Sequence, residues 1–124
     1  MIFDASALLA ILRSEPGGEK AHRYLTGAAI STVNLSETVA VLIRKGMPPE
    51  AAKEAVEELE LDVVPFDRDQ AYRTARLAPV TAARGLSFGD RACLALAQIR
   101  SLPALTAERE WDHIDAGIRI VRIR

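Results

Sequence analysis

Residues 1–13 read MIFDASALLAILR. Met1–Asp4 is a very short apolar run ending in an acid, and it reads as a strand. Ala5–Arg13 follows without a break and has the composition and apolar spacing of a helix, which Glu15-Pro-Gly-Gly18 then stops. A strand feeding straight into a helix is half of a βα unit, and the pattern recurs outward along the chain. Further strands are expected at Ala28–Ser31, Asp62–Phe66, Pro103–Thr106 and Ile118–Ile123, the last at a sheet edge because Arg119 and Arg122 flank its apolar residues. Helices are expected at Glu19–Leu25, Asn34–Lys45, Pro49–Glu60, Asp67–Ala78 and Ser87–Arg100, with a shorter one at Val80–Arg84 interrupted from its neighbour by Pro79. Short apolar runs alternating with helices predict an α/β fold with a parallel sheet.

Composition narrows the class. A chain of 124 residues is one domain's worth of sequence, and no repeat or linker divides it, so a single domain over 1–124 is expected. With 49% hydrophobic residues and only 5% aromatics, the core must be aliphatic. The single cysteine, Cys93, excludes an internal disulfide and fits a reducing, cytoplasmic setting. No apolar run is long enough to span a membrane, and the acid at position 4 argues against a signal peptide. The net charge of −1 does not announce a nucleic-acid binder that works by bulk charge. If the protein acts on phosphates, positive charge must be local or supplied by metal.

Parallel α/β sheets gather their chemistry beyond the carboxyl ends of the strands. Four acids map there. Asp4 ends the first strand, Glu37 and Asp90 lie in the first turns of helices, and Glu108 follows the Pro103–Thr106 strand, with Asp112 four residues on. Singly, each has a structural explanation. Asp4 suits an N-cap, Asn34-x-x-Glu37 and Ser87-x-x-Asp90 both read as capping boxes, and Glu108 and Asp112 suit a solvated loop. Jointly, three of them sit in apolar sequence (IFDASALL, NLSETVAV, SFGDRACLALA), where a buried carboxylate is costly unless paired or coordinated. Clustered carboxylate oxygens suit Mg²⁺ or Mn²⁺, and such a centre serves phosphodiester hydrolysis.

At these residues the chain resembles the PIN-domain family and, within it, the VapC-type toxin ribonucleases of type II toxin–antitoxin systems. The resemblance rests on IFDASALLAIL, ISTVNLSETVAVLIRKG, GLSFGDRACLALA and LPALTAEREWDHI, in the family's order and spacing over essentially the whole chain. It implies a three-layer α/β/α sandwich with a parallel central sheet and a Mg²⁺-dependent (or Mn²⁺-dependent) endoribonuclease. Asp4, Glu37 and Asp90 match the family's first three acids. The fourth is usually Asp in a T-x-D segment; here Thr106-Ala107-Glu108 stands there, longer by about 1.5 Å, one carbon–carbon bond. Asp112 is the competing candidate for that metal ligand. Ser6, Asn34, Ser87 and Thr106 are the supporting polar residues: Ser6 to bind a carboxylate or phosphate, Asn34 and Ser87 to orient Glu37 and Asp90 or cap their helices, Thr106 to fix the loop of Glu108. The implied partners are an RNA substrate, a VapB-like antitoxin and a second copy in a homodimer.

Rival chemistries lack their residues. No Ser-His-Asp set, zinc spacing or phosphate-binding glycine motif is present, and His22 and His113 read as surface residues. Cys93 reads as a small core residue, and Trp111 either stacks on a base or anchors its loop. Arg13, Lys45, Arg84 and Arg91 are weak candidates for phosphate contacts. The rival function is a catalytically weak PIN-like module that binds RNA or protein. A structure-specific DNA nuclease is disfavoured because the chain lacks a basic clamp.

Overall fold

The structure, a computed structural model, describes residues 1–124. Five strands form one parallel sheet: β1 (Ile2–Phe3), β2 (Ala29–Ser31), β3 (Asp62–Val64), β4 (Ala104–Thr106) and β5 (Ile120–Arg122), in the order β3-β2-β1-β4-β5. The helices are α1 (Ala5–Leu12), α2 (Gly18–His22), α3 (Thr32–Arg44), α4 (Pro49–Glu57), α5 (Arg68–Arg76), α6 (Ala78–Thr81) and α7 (Phe88–Arg100). They cover both faces of the sheet, giving the α/β/α layering expected for the fold class.

Alternation along each strand builds the two cores. Ile2, Ala29 and Ala104 face one way and pack with Leu94 and Leu96 of α7 and with Trp111. Their successors Phe3, Ile30 and Leu105 face the other way, onto Ala7, Leu8, Leu42 and Val56 of α1, α3 and α4. A two-residue side-chain period splits every apolar pair between opposite faces. That is why a strand as short as Ile-Phe needs no polar position and is buried throughout. In α7 the residues from Ala92 to Ala97 are all fully buried, each leucine contributing about 1.5–3 kcal/mol of burial.

The observed elements differ from the expected ones mainly at their ends. β3 stops at Val64 because Pro65 has no N–H to continue the ladder. β5 shortens to three residues and lies at the sheet edge, as its arginines imply. Pro79 does not interrupt a helix; it sits in the first turn of α6, where its missing N–H costs nothing. The expected helix at Asn34 starts earlier, at Thr32, with Ser31 as its cap through a 3.1 Å bond from the Val33 N–H to the Ser31 hydroxyl. No helix is long and apolar enough to cross a membrane.

The chain runs β1, β2, β3 toward one edge and then returns to place β4 and β5 on the other side of β1. The direction of winding therefore reverses between β1 and β4, and a crevice at the carboxyl ends of these strands is the expected place for a site.

Candidate active site

Asp4 follows β1 at that crevice. Its backbone N–H bonds to Leu105 O at 2.9 Å, tying it to β4. It occupies the cap position of α1 but makes no capping bond. Instead its Oδ2 accepts from the Ser6 hydroxyl at 2.6 Å and the Thr106 hydroxyl at 3.0 Å. Thr106 Oγ1 also accepts from the Glu108 N–H at 3.1 Å, and Ser6 Oγ accepts from the Ala107 N–H at 2.9 Å. Two hydroxyls thus connect Asp4 to the loop that carries Glu108. Thr106 fixes that loop as expected and, beyond that, holds Asp4.

Glu37 comes from α3. With Ser31 as the cap, Asn34 lies inside the helix, so the expected Asn34–Glu37 capping box is corrected. Asn34 is fully buried, and its Nδ2 donates at 2.9 Å both to Glu37 Oε1 and to Gly89 O, 55 residues away on α7. Asn34 is thereby an orienting residue for Glu37 and a joint between α3 and α7. Gly89 is the residue that sequence reasoning missed. A Cβ there would run into the Glu37 carboxyl group, so glycine lets the start of α7 close onto α3. Its signal is a glycine inside the first turn of a well-formed helix, where alanine would be favoured.

Asp90 is the third residue of α7. Here the capping box is real: the Ser87 N–H bonds to Asp90 Oδ2 at 2.9 Å, and the Asp90 N–H bonds to Ser87 Oγ at 3.2 Å. Capping and site roles coincide, because the bond that caps α7 also holds one Asp90 oxygen.

Electrostatics binds these acids into one group. Burial, with Asp90 and Glu37 adding to it, pushes the Asp4 carboxyl from 3.8 to about 7, against the lowering effect of its hydroxyl partners. Burial also raises Glu37, opposed by the Asn34 hydrogen bond and reinforced by Asp90. Glu108 is raised by burial, then by Glu110 and Asp90. Asp90 is the common neighbour of the other three. None of the four forms an ion pair; the salt bridges all lie elsewhere.

The remaining candidates separate. Asp112 pairs with Arg122 of β5 at 3.2 Å, which turns it to a different partner from Glu108. Trp111 is fully buried in the core, so it anchors its loop and presents no face for stacking. Cys93 is buried one turn beyond Asp90, and burial together with Asp4, Asp90 and Glu37 pushes its thiol well up, which leaves it inert. His22 and His113 are exposed. Arg84 donates to the carbonyls of Glu110 and Arg109, at 3.2 and 3.5 Å.

Carboxylate oxygens are the donor type that a hard divalent cation takes. In Asp4, Glu37 and Asp90 one carboxylate oxygen is held by the protein, through Oδ2, Oε1 and Oδ2, while the other carries no protein donor. Ligands oriented through one atom and open at the other are the arrangement that supporting hydrogen bonds give a metal site. As they stand, no three Asp, Glu, His or Cys side chains come close enough together to hold a metal ion.

A family model described as PIN domain matches residues 1–117. The chain belongs to the PIN domain family. Solved structures similar to this PIN domain agree in fold. One, a DNA-bound VapBC complex from Salmonella typhimurium, is 24% identical with a TM-score of 0.77, covering 99% of this chain and 97% of that one. Another, a VapC toxin of Mycobacterium tuberculosis that cleaves the sarcin–ricin loop, is 21% identical with a TM-score of 0.77, covering 98% and 99%. A toxin–antitoxin complex from Klebsiella pneumoniae is 18% identical with a TM-score of 0.75, covering 99% and 97%. A sequence search of curated proteins returned no match.

Proposed function

We propose that this PIN domain is a metal-dependent endoribonuclease and the toxin of a VapBC-type toxin–antitoxin pair. The observation that carries the reading is the group of Asp4, Glu37, Asp90 and Glu108 at the sheet's switch point, none of them in a salt bridge, with three carboxylates each fixed through one oxygen. The similarity to VapBC complexes and to a toxin that cleaves RNA supports it.

Asp4, Glu37, Asp90 and Glu108 would hold Mg²⁺ or Mn²⁺, which supplies Lewis-acid charge and a water of lowered pKa. The chain's own work is orientation. Ser6 and Thr106 hold Asp4 through Oδ2 and leave Oδ1 open. Asn34 fixes Glu37 through Oε1 and leaves Oε2 open toward the site. Ser87 aims Asp90 through the cap of α7. Glu108, carried on the loop that Thr106 and Ser6 brace, would supply the fourth carboxylate. With water as nucleophile the ribose 2′-hydroxyl is not needed for the displacement.

The implied partners are a VapB-like antitoxin that covers the acids and a second copy of the chain. The test is incubation of the purified protein with single-stranded RNA in Mg²⁺, Mn²⁺ or EDTA. Cleavage with either metal, none in EDTA, and products without a 2′,3′-cyclic phosphate are expected. Cyclic ends, or equal cleavage in EDTA, would overturn the mechanism. RNA binding with no cleavage under any metal would favour the binding-module alternative.

A further inference from the structure

We propose that Phe88, braced by Phe66, is a stacking platform for a nucleobase flanking the scissile phosphate; this rests on the ribonuclease reading above. Phe88 is the first residue of α7, between the Ser87 cap and Asp90, and it is 50% exposed. The other large exposed apolar side chains are Ile43, Val63, Tyr72, Val80 and Ile99, and none of them lies at the start of α7, where the Ser87 cap holds Asp90. The core does not need the Phe88 ring, since the residues packing α7 are Ala92 to Ala97.

Phe66 supports that ring from the adjoining strand end. The two centroids are 5.6 Å apart at 81°, an edge-to-face pair. Whichever ring offers its edge, at least one face of Phe88 is left unused by Phe66. Phe66 is itself fixed, since its N–H bonds to Thr32 Oγ1 at 3.0 Å. Thr32 opens α3, the helix of Glu37. The aromatic pair therefore bridges the starts of the two helices that deliver Glu37 and Asp90.

The charge of the site gives such a platform its use. Net charge is −1, so bulk electrostatics adds little affinity for RNA, and without metal the acids repel phosphates. Stacking is uncharged and works with any base, and it places a nucleotide without adding to the repulsion. Trp111, the aromatic that sequence alone offered for this role, is buried.

The test compares Phe88→Leu, which keeps apolar bulk without a π-face, with Phe88→Trp, which keeps the face and reports on it. Binding of short single-stranded oligoadenylate and oligouridylate is measured in EDTA and in Ca²⁺, and cleavage in Mg²⁺. Phe88→Leu should weaken binding and raise KM about 5- to 150-fold, the span of aromatic–base stacking, with kcat changed little. The loss should be greater for adenine than for uracil. Phe88→Trp should restore KM, and RNA should quench its fluorescence. An abasic nucleotide beside the cut should weaken wild type but not Phe88→Leu. Melting curves check that each variant folds.

Unchanged KM in Phe88→Leu, or no quenching of Phe88→Trp by an RNA the protein cuts, would overturn the platform while leaving the nuclease standing. Absence of RNA binding in every condition would overturn it as well. Loss of binding to a protein partner in Phe88→Leu, with RNA handling intact, would assign the ring to that partner instead. Stacking without any cleavage would leave the platform and remove the nuclease.

Discussion

Replacing Asp4 with asparagine should stabilise the metal-free protein, by an amount that depends on pH. Asp4 is 2% exposed, and burial, with Asp90 and Glu37 adding to it, moves its carboxyl from 3.8 to about 7. The folded protein therefore holds a proton that the unfolded chain releases near pH 4. Below that pH both states are protonated, and a neutral Asp4 behaves much like asparagine. From about pH 4 to 7 stability falls as pH rises, because the unfolded state binds fewer protons than the folded one. Above 7 the full difference stands: about three pKa units, or ~4 kcal/mol. Asparagine carries no charge at any pH, and its carbonyl oxygen can accept from Ser6 and Thr106 as Oδ2 does. Asp4→Asn should thus melt roughly 10–15 °C above wild type at pH 8 and close to it at pH 4. Adding Mg²⁺ or Mn²⁺ at pH 8 should raise the melting temperature of wild type and leave the variant nearly unmoved. Thermal melts by circular dichroism at the two pH values, with and without metal, decide it. Equal melting temperatures at pH 8, or a variant destabilised alike at both, would refute the reasoning.

Other outcomes follow from the same geometry. Gly89→Ala should displace the Glu37 carboxyl and cut RNA cleavage by ~10-fold or more, while a melt shows little loss because alanine favours the helix. Glu108→Gln should impair cleavage and Asp112→Asn, whose residue pairs with Arg122, should not; the reverse order in a rate assay would exchange their roles. Ser87→Ala removes the α7 cap and should cost about 1 kcal/mol, seen as a shift in the urea midpoint, together with slower cleavage as Asp90 loosens.

The strands are legible in the sequence because each is a short apolar run, with Pro65 and the run's own length marking the ends. Their order is not, because nothing local to β4 says that it returns beside β1. Asp4, Glu37 and Asp90 stand out in sequence by their apolar setting, and the Ser87–Asp90 box is local and reads correctly from sequence. Asn34 reads as a cap because Asn-x-x-Glu has that pattern, yet Ser31, three residues earlier, holds the position instead. The partner that gives Asn34 its role is Gly89 O, which only tertiary packing brings near. The choice between Glu108 and Asp112 has the same character: four residues apart in sequence, they are parted by an ion pair to the strand at the sheet's edge. Trp111 has two readings in sequence, and its burial leaves one.

The most direct test is the rate of Mg²⁺-dependent RNA cleavage by Asp90→Asn beside wild type. The amide oxygen of the introduced side chain can still accept the Ser87 N–H, so the cap and the fold should persist. Asp90 is also the charge common to Asp4, Glu37 and Glu108. Single-turnover cleavage should fall ~10²-fold or more with the melting temperature kept or raised. Full activity in a folded Asp90→Asn protein would contradict the assignment of the site.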